Sequence, residues 1–175
     1  MQVNRRYWLA GACAAATAFG LQRWVGAQPR GTGAVAADDP PAHWEVQHSE
    51  SEWRHLLGAE RYAVLREAGT ERAFTSPLNH EKRAGTFRCA GCALALFSST
   101  TKFDSGTGWP SFWQPLDKAV GTTTDDTFGM RRTEVHCRRC GGHLGHVFDD
   151  GPPPTGLRYC INGLALTFEP GEERS

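Results

Sequence analysis

The chain has 175 residues, six cysteines, and basic and acidic side chains in equal number, 19 each. This length fits one domain of ordinary size. Charged residues at 22% and hydrophobic residues at 39% exclude both a disordered acidic chain and a multi-span membrane protein. Residues 1–36 contain four of the basic residues and no acid, which leaves 15 basic against 19 acidic side chains in residues 37–175. This mildly acidic remainder disfavours nucleic acid as a partner, because binding phosphates requires clustered lysine and arginine.

The first 36 residues have the composition of an export signal. A pair of arginines precedes an apolar run from Trp8 to Leu21, which is shorter than the roughly 20 residues that span a bilayer core. The arginine pair with its flanking residues resembles a twin-arginine signal, and candidate cleavage sites end at Ala27 and Ala36. We therefore predict export to the periplasm. The alternatives are an ordinary secretory signal and a retained membrane anchor.

A linker and two short helices are predicted next. Residues 37–48 continue a region rich in glycine, alanine and proline, which is typical of a linker. Ser49 followed by Glu52 is a capping-box pattern that predicts the start of a helix. Gly58 predicts its end, and a second helix is expected from about residue 59 to residue 67, before Gly69. The apolar side chains expected on one face of the first helix are Trp53, Leu56 and Leu57.

Beyond residue 85 the pattern changes to short runs separated by glycine, proline and aspartate, which is typical of strands joined by turns. The runs predicted as strands are 85–88, 93–98, 129–135 and 156–161. The predicted fold class is therefore mainly β, of the α+β type, with short N-terminal helices before an antiparallel β domain. We expect this domain to occupy residues 49–170 and residues 171–175 to form a tail.

Four cysteines form two matched pairs, Cys89 with Cys92 and Cys137 with Cys140. A pair of thiolates three residues apart on a tight turn can share one metal ion, and two such pairs complete the tetrahedral site that zinc prefers. We predict one structural zinc ion here, with Gly91 and the two glycines after Cys140 allowing the turns. Disulfides are the alternative, because exported proteins meet oxidants. A thioredoxin-like motif would need a single pair at a strand-to-helix turn.

Cys160 has no matching cysteine once Cys13 is assigned to the leader. If residues 158–162 form a strand, Arg158 and Asn162 lie on the same face as Cys160. A guanidinium beside a thiol lowers the pKa of the thiol and raises its thiolate fraction. We therefore expect Cys160 to be reactive, and a buried, inert cysteine is the alternative.

His143 and His146 directly follow the second cysteine pair, with Gly145 between them. They fit three interpretations: zinc ligands together with the second cysteine pair, packed or surface histidines without chemistry, or an acid/base pair on a turn that faces a cleft. The ordinary pKa of an imidazole, about 6.5, suits proton delivery near neutral pH.

Taken in order, these motifs resemble the B type of methionine sulfoxide reductase, the peptide-methionine (R)-S-oxide reductases. The likeness runs from about residue 50 to residue 168, in segments 69–74, 89–92, 96–99, 102–112, 137–152 and 158–162. The resemblance implies two antiparallel β-sheets with peripheral helices and a structural zinc ion remote from the chemistry. It implies as substrate oxidised proteins or peptides that carry methionine-R-sulfoxide, and we expect a monomer.

The resemblance makes Cys160 the nucleophile that attacks the sulfoxide sulfur. Taken alone, Trp109 in its Gly-Thr-Gly-Trp-Pro turn also fits a core tryptophan. The other positions assigned to the site are His143, His146, Asn162 and Arg158 around the reacting sulfur, and Trp109, Asp150 and Phe112 around the substrate.

Two positions depart from the family pattern. Many members carry a second, resolving cysteine where this chain has Thr107, and Gly163 stands where the family usually has serine. Without a resolving cysteine, we expect an external thiol to reduce the Cys160 sulfenic acid, either a small thiol or a thioredoxin-like protein. The rival functions are a non-catalytic zinc-knuckle binding module and a thiol–disulfide oxidoreductase whose paired cysteines cycle without zinc.

Overall fold

The computed structural model describes residues 43–171. The predicted export signal (1–36), the first part of the predicted linker and nearly all of the predicted tail lie outside the described residues. Within residues 43–171, none of the helices has the length and apolar character needed to cross a lipid bilayer.

Helix α1 spans Glu50–Glu67 and is broken at Gly58, whose φ of 69° and ψ of 171° are not helical. The predicted capping box is present: the Ser49 hydroxyl accepts from the Glu52 N–H, and the Ser49 N–H donates to the Glu52 carboxylate at 2.8 Å. The two predicted helices are thus the two halves of one kinked helix. Trp53 is buried as expected, whereas the Leu56 side chain is 59% exposed.

Helix α1 ends at Glu67, before Gly69, as predicted. The residue in the left-handed conformation is Ala68, with φ 53°, and not the following glycine. Gly69 is required for another reason: a Cβ there would lie 2.8 Å from the carbonyl oxygen of Ala63. A sequence pattern marks the glycine but does not distinguish a left-handed residue from a close backbone approach.

In residues 43–171, nine strands form two antiparallel sheets, which confirms the predicted fold class. The smaller sheet has the order β2-β1-β9 and the larger has the order β3-β4-β8-β7-β6-β5. The strands are β1 Gly85–Cys89, β2 Ala95–Ser98, β3 Lys102–Phe103, β4 Ser111–Phe112, β5 Val120–Asp125, β6 Arg132–Cys137, β7 His143–Phe148, β8 Arg158–Ile161 and β9 Leu166–Pro170. Short 3₁₀ segments lie at Pro77–His80, Ser99–Thr101, Thr127–Gly129 and Gly163–Ala165.

The core lies between the two sheets. Phe97 of the smaller sheet stacks on Phe112 of the larger, with ring centroids 4.3 Å apart, and both are fully buried. Because side chains alternate along a strand, the residues next to the core-facing ones point to the opposite face of the larger sheet. On that face lie Cys160, His146 and Glu134, which are joined by direct cross-strand pairing.

Strand β7 contains one extra residue opposite β6. Val135 pairs with Gly145 and His136 pairs with His143, so that Leu144 is the additional residue of a β-bulge. Residues three apart in a regular strand face opposite sides, but the bulge brings His143 and His146 to the same face. The expectation that these histidines lie on a turn is therefore wrong: they lie on a bulged strand.

Candidate active site and metal centre

Cys160 lies in a central strand of the larger sheet, between Ser111 of β4 and His146 of β7, each directly opposite it. Cross-strand neighbours at such positions have Cβ atoms about 4.5–5.5 Å apart. The partly buried Cys160 thiol opens into a pocket of about 140 Å³. Its other lining residues include Thr70, Trp109, Arg132, His146, Phe148 and Asn162.

Burial raises the pKa of the Cys160 thiol above its usual range. The Thr107 hydroxyl, 3.7 Å from the sulfur, and the Arg158 guanidinium both lower this pKa, but by less than burial raises it. Arg158 therefore lowers the pKa of Cys160 as expected, but the effect of burial is larger. The raised pKa favours the neutral thiol of Cys160 near pH 7.

Arg158 is held by two hydrogen bonds to Asp150, each 2.8 Å long, and its guanidinium lies 4.4 Å from the centre of the Phe148 ring. The Asp150 carboxylate opposes the effect of Arg158 in part, because its negative charge raises the pKa of the Cys160 thiol. Asp150, predicted as an acid of the substrate pocket, has a side chain that is 59% exposed. In the structure it orients Arg158 and does not line the pocket.

Each candidate histidine is bonded to its own carboxylate. His146 Nε2 lies 2.7 Å from Asp125, His143 Nδ1 lies 2.6 Å from Glu134, and the two rings are 5.5 Å apart. His146 lines the pocket, whereas His143 is only 5% exposed. The sequence reasoning missed both carboxylates, because they become neighbours only through strand register.

These contacts assign the protons of the His146 pair. Burial lowers the pKa of His146, so that the imidazole is neutral near pH 7. Hydrogen bonds from Thr127, and then from His146, hold the pKa of Asp125 far below its usual range. An ionised carboxylate can only accept, so Nε2 of His146 carries the hydrogen and Nδ1 is the nitrogen that can take up a proton.

The backbone N–H and carbonyl of Glu71 support two walls of the pocket. Its N–H donates to Asn162 Oδ1 at 3.0 Å, and its carbonyl accepts from the Trp109 indole N–H at 3.1 Å. The Glu71 carboxylate accepts the N–H groups of Gly163 and Leu164, and burial raises its pKa. A side chain at position 163 would overlap the Ser76 hydroxyl, which explains the glycine there. The sequence reasoning included Glu71 in a matching segment but gave it no role.

A chain of three hydroxyl groups ends at Cys160. Ser105 Oγ lies 2.7 Å from Ser111 Oγ and 2.8 Å from Thr107 Oγ1, which contacts Cys160 Sγ at 3.7 Å. At the far end, Ser111 Oγ donates to the carbonyl of Trp109 at 3.2 Å. Each hydroxyl has one hydrogen. With Ser111 bonded to Trp109, the chain can run toward Trp109 with the neutral Cys160 thiol as donor to Thr107, and the Thr107 hydroxyl can reverse this last bond and donate to the thiolate.

Phe112 is not at the pocket. It pairs with Tyr159, the neighbour of Cys160 in β8, and is fully buried in the core. The prediction that Phe112 contacts substrate is thus not supported, because adjacent strand residues face opposite sides. Trp109, by contrast, is half-buried and lines the pocket with Asn162.

The two cysteine pairs converge on one point, as predicted. All four sulfurs lie within 4.8 Å of one another, with 3.7 Å between Cys89 and Cys140 and 3.5 Å between Cys92 and Cys137. A tetrahedron of Zn–S bonds of about 2.3 Å has edges of about 3.8 Å, so these sulfurs fit a zinc ion. In residues 43–171 all five cysteines are free thiols, and the group that could share a metal contains these four and neither histidine.

The turn residues of the metal centre agree with the prediction in the second cysteine pair and differ from it in the first. The residue after the second cysteine of each pair is left-handed: Ala93 has φ 60° and Gly141 has φ 69°. Gly91, predicted to allow the first turn, has ordinary contact distances around the site of a Cβ, the shortest being 3.5 Å. The metal centre thus requires a positive φ after each pair rather than within it.

Residues 43–48, the end of the predicted linker, lie against the second cysteine pair. The Trp44 indole covers Gly141, where any side chain would overlap it, and contacts the His136 ring at 5.2 Å. The Val46 N–H donates to the carbonyl of Arg139 at 3.1 Å, and Glu45 forms an ion pair with Arg139. This segment, which we call the N-terminal strap, covers one side of the metal centre.

Comparison with known proteins agrees with this site. A family model described as the SelR domain matches residues 57–170. Proteins named peptide methionine sulfoxide reductase MsrB are similar to this chain. The one from Pseudomonas putida is 58% identical over 127 residues, covering 72% of this chain and 96% of the relative. The relative from Agrobacterium fabrum is 56% identical, and the match covers 72% of this chain and 94% of the relative. The relative from Leptospira interrogans is 53% identical, and the match covers 73% of this chain and 98% of the relative.

These matches bear out the resemblance inferred from the motifs. The family model covers most of the described domain, including both cysteine pairs and the pocket around Cys160. The relatives are matched over nearly their whole length. The chain therefore belongs to the SelR-domain family of peptide methionine sulfoxide reductases, which are oxidoreductases.

Proposed function

We propose that this chain reduces the R epimer of methionine sulfoxide in oxidised proteins and peptides, with Cys160 as the group that attacks the sulfoxide sulfur. The family acts on oxidised methionine and uses a thiol as reductant. The observation that carries the proposal is the position of the Cys160 thiol, directly opposite His146 in a pocket with the Trp109 indole in its wall. An indole face offers apolar contact for the S-methyl group.

The first step is loss of the Cys160 proton. His146 is neutral near pH 7 and directs its Nε2 hydrogen to Asp125, which leaves Nδ1 to accept the thiol proton. The imidazolium that forms is stabilised by Asp125, and the thiolate by the Thr107 hydroxyl and Arg158. This transfer compensates for the raised pKa of the buried thiol.

In the second step the thiolate attacks the sulfoxide sulfur while His146 gives its proton to the sulfoxide oxygen. The S–O bond of the substrate breaks and the protonated oxygen leaves as hydroxide, while a new S–S bond joins Cys160 to the methionine sulfur. Hydroxide then attacks the Cys160 sulfur, the S–S bond breaks and methionine leaves in reduced form. Cys160 becomes a sulfenic acid and has lost the two electrons that the methionine sulfur gains. A rigid indole wall on one side of the sulfur and a proton donor on the other select one epimer.

An external thiol completes the cycle. Four of the five cysteines in residues 43–171 belong to the metal centre, and Thr107 occupies the position nearest to Cys160 that a resolving cysteine would take. Two thiol equivalents therefore reduce the sulfenic acid, giving a disulfide, water and the free Cys160 thiol. The four cysteines of the metal centre would hold zinc, which supplies structural cross-linking.

The proposed location is the periplasm, and the proposed form is a monomer. The basic, apolar leader of residues 1–36 supports export. A twin-arginine route carries folded proteins, so zinc could be bound before the thiols meet oxidants. Cell fractionation of the full chain with Arg5→Lys and Arg6→Lys should show retention in the cytoplasm, and size-exclusion chromatography should show one chain.

The activity is tested with the purified protein, a dithiol reductant and the separate epimers of N-acetyl-methionine sulfoxide amide. We expect turnover of the R epimer alone, complete loss of it in Cys160→Ser, and about one zinc per chain in both proteins. Mass spectrometry after a single turnover without reductant should find one added oxygen atom on Cys160.

The rival functions give different results in the same experiment. A zinc-knuckle binding module would show no turnover, and Cys160→Ser would not alter its function. A thiol–disulfide oxidoreductase would contain little zinc and would form disulfides within its cysteine pairs. Equal turnover of both epimers, or an intramolecular disulfide to Cys160, would contradict the proposed mechanism.

A further inference from the structure

A second pocket, of about 210 Å³, adjoins the pocket of Cys160. Trp109 belongs to the linings of both, so the two pockets meet at this residue. The Trp109 N–H is bonded to the Glu71 carbonyl at 3.1 Å, which fixes the indole. A ligand chain that places one side chain in the first pocket therefore passes next to the second.

Phe74 lies at the rim of the second pocket and is the most exposed large hydrophobic side chain among the described residues, at 72%. Its φ of 66° is rare for a bulky residue. Two contacts hold it there: the Phe74 N–H donates to the Gly108 carbonyl at 2.8 Å, and the ring lies so close to Gly108 that a Cβ there would be 2.8 Å from Phe74 Cδ2. The aromatic ring is thus fixed in solvent beside the pocket.

The polar groups of this pocket are mostly engaged. The Asn79 amide donates to the Gly108 carbonyl at 3.0 Å, and the Lys102 ammonium donates to the Asn79 carbonyl at 2.9 Å. The Asp104 carboxylate accepts the Gly106 N–H at 2.9 Å. The lining also includes the apolar side chains of Phe103 and Pro110, which with Phe74 and Trp109 offer apolar contact to a ligand.

We infer that this second pocket binds a large apolar side chain located within two residues of the oxidised methionine in a protein substrate. The inference rests on the proposed function, since it takes the pocket of Cys160 as the place of the sulfoxide. A cavity of about 150 Å³ holds a benzene molecule, so 210 Å³ accommodates one phenylalanine or leucine side chain. The exposed Phe74 ring would cover part of that side chain and withdraw it from water.

The test compares N-acetyl-methionine-R-sulfoxide amide with a set of pentapeptides that carry the R-sulfoxide in the centre of four glycines. In each peptide of the set, one glycine is replaced by phenylalanine, leucine or aspartate. For the unaltered full chain we expect kcat/KM to be about tenfold higher for the best apolar peptide than for the all-glycine peptide, as partial burial of one large side chain predicts. Aspartate should bring no gain.

The variant is Phe74→Asn, because asparagine tolerates the left-handed backbone and lacks the ring. We expect it to reduce the tenfold preference to about twofold or less and to leave kcat/KM for the amide unchanged. Leu56→Ala, which truncates another exposed apolar side chain far along the sequence in α1, is the matched control and should retain the preference.

The outcomes separate the inference from the function on which it rests. No turnover of the amide by the unaltered chain would contradict the proposed function. Turnover of the amide without any preference among the peptides would overturn the inference alone. An equal fall of kcat/KM for the amide and the apolar peptide in Phe74→Asn would also overturn it, because Phe74 would then only support the Trp109 wall.

Discussion

The two carboxylates bonded to the histidines determine which imidazole nitrogen can exchange a proton. The Asp125 carboxylate is hydrogen-bonded to Nε2 of His146, whereas the Glu134 carboxylate is hydrogen-bonded to Nδ1 of His143. The hydrogen bond from His143 holds the pKa of Glu134 below its usual range, so both carboxylates are ionised acceptors near pH 7. Only His146 borders the pocket. In the proposed mechanism, Asp125 therefore controls the proton that His146 exchanges.

The pH dependence of kcat/KM follows from the His146–Cys160 pair. The pKa of His146 is lowered and that of Cys160 is raised, so between the two values the pair carries one proton and can form thiolate and imidazolium. We expect a broad plateau. The rate falls on the acid side as both groups become protonated, and on the alkaline side as both lose their protons.

Asp125→Asn tests this assignment. The hydrogen bond to Asp125 raises the pKa of His146, so its loss should move the acid limb of the profile to lower pH. We expect the plateau of kcat/KM to fall about tenfold to a hundredfold, because the imidazolium loses its counter-charge. Asp126→Asn, at the exposed neighbouring residue, should leave the profile unchanged. An acid limb that stays in place would show that Asp125 does not act through His146.

The hydroxyl chain makes a separate prediction for Thr107. In the resting protein the Cys160 thiol can donate to Thr107, and when the proton leaves, the Thr107 hydroxyl can turn and donate to the thiolate. Thr107→Val removes this donor and keeps the side-chain shape, so alkylation of Cys160 by iodoacetamide at pH 7.5 should slow about threefold to tenfold. Thr107→Ser should react like the unaltered protein. Equal rates in all three proteins would exclude a role for the hydroxyl.

At the scale of elements, the parts predicted well from sequence are those specified by local chemistry. The capping box at Ser49 and the break at Gly58 each depend on a few neighbouring residues, and both are present. Strand β7 was missed because its histidines and glycine have no strand preference of their own. It forms because β6 and β8 pair with it on both sides.

The site was predicted in the same uneven way. The nucleophile and the metal ligands follow from motifs, whereas the partners of the histidines depend on register across three strands. Asp125 is 21 residues from His146 in the chain, and no local pattern joins them. A strand alternation that includes Glu134 and His136 was the one signal available, and it became informative only with its partner strands known.

The end of helix α1 offers a test of backbone strain. Ala68 is left-handed, a conformation that costs a residue with a Cβ about 1–2 kcal/mol. Glycine removes this strain, but it loses more conformational entropy on folding than alanine, which offsets part of the gain. Ala68→Gly should therefore raise the free energy of unfolding by about 0.5–1 kcal/mol, measured by urea denaturation. Ala63→Gly, inside the same helix, should lower it by a similar amount. A decrease in Ala68→Gly would show that the alanine methyl group contributes more than the strain costs.

For the whole molecule, the metal centre joins the two sheets. Cys89 ends β1 of the smaller sheet, and Cys137 ends β6 of the larger, so one ion would hold both at the edge of the shared core. Its thiolate ligands are separate from the residues that line the pocket. Zinc therefore contributes to folding stability, and chelation should lower the melting temperature before it changes the chemistry of Cys160.

The N-terminal strap should slow the release of zinc. Trp44 covers the turn of the second cysteine pair, so Trp44→Ala should open that turn to water and chelator. We expect zinc transfer to a chromogenic chelator to become about tenfold faster, and Trp44→Phe, which keeps an aromatic cover, to lie between. Release at the same rate in all three proteins would show that the strap does not protect the metal.

The bulge in β7 has a consequence for how the family's chemistry can be altered. Side chains alternate between the two faces of a sheet with a period of two residues. The extra residue Leu144 shifts this alternation by one residue between His143 and His146. A strand without it would keep only one of the two imidazoles on the face of the sheet that carries Cys160 and would turn the other toward the core. Deletion of Leu144 would thus remove one imidazole from the face of the proposed site. In this strand, the number of residues between the two histidines matters as much as the identity of the side chains.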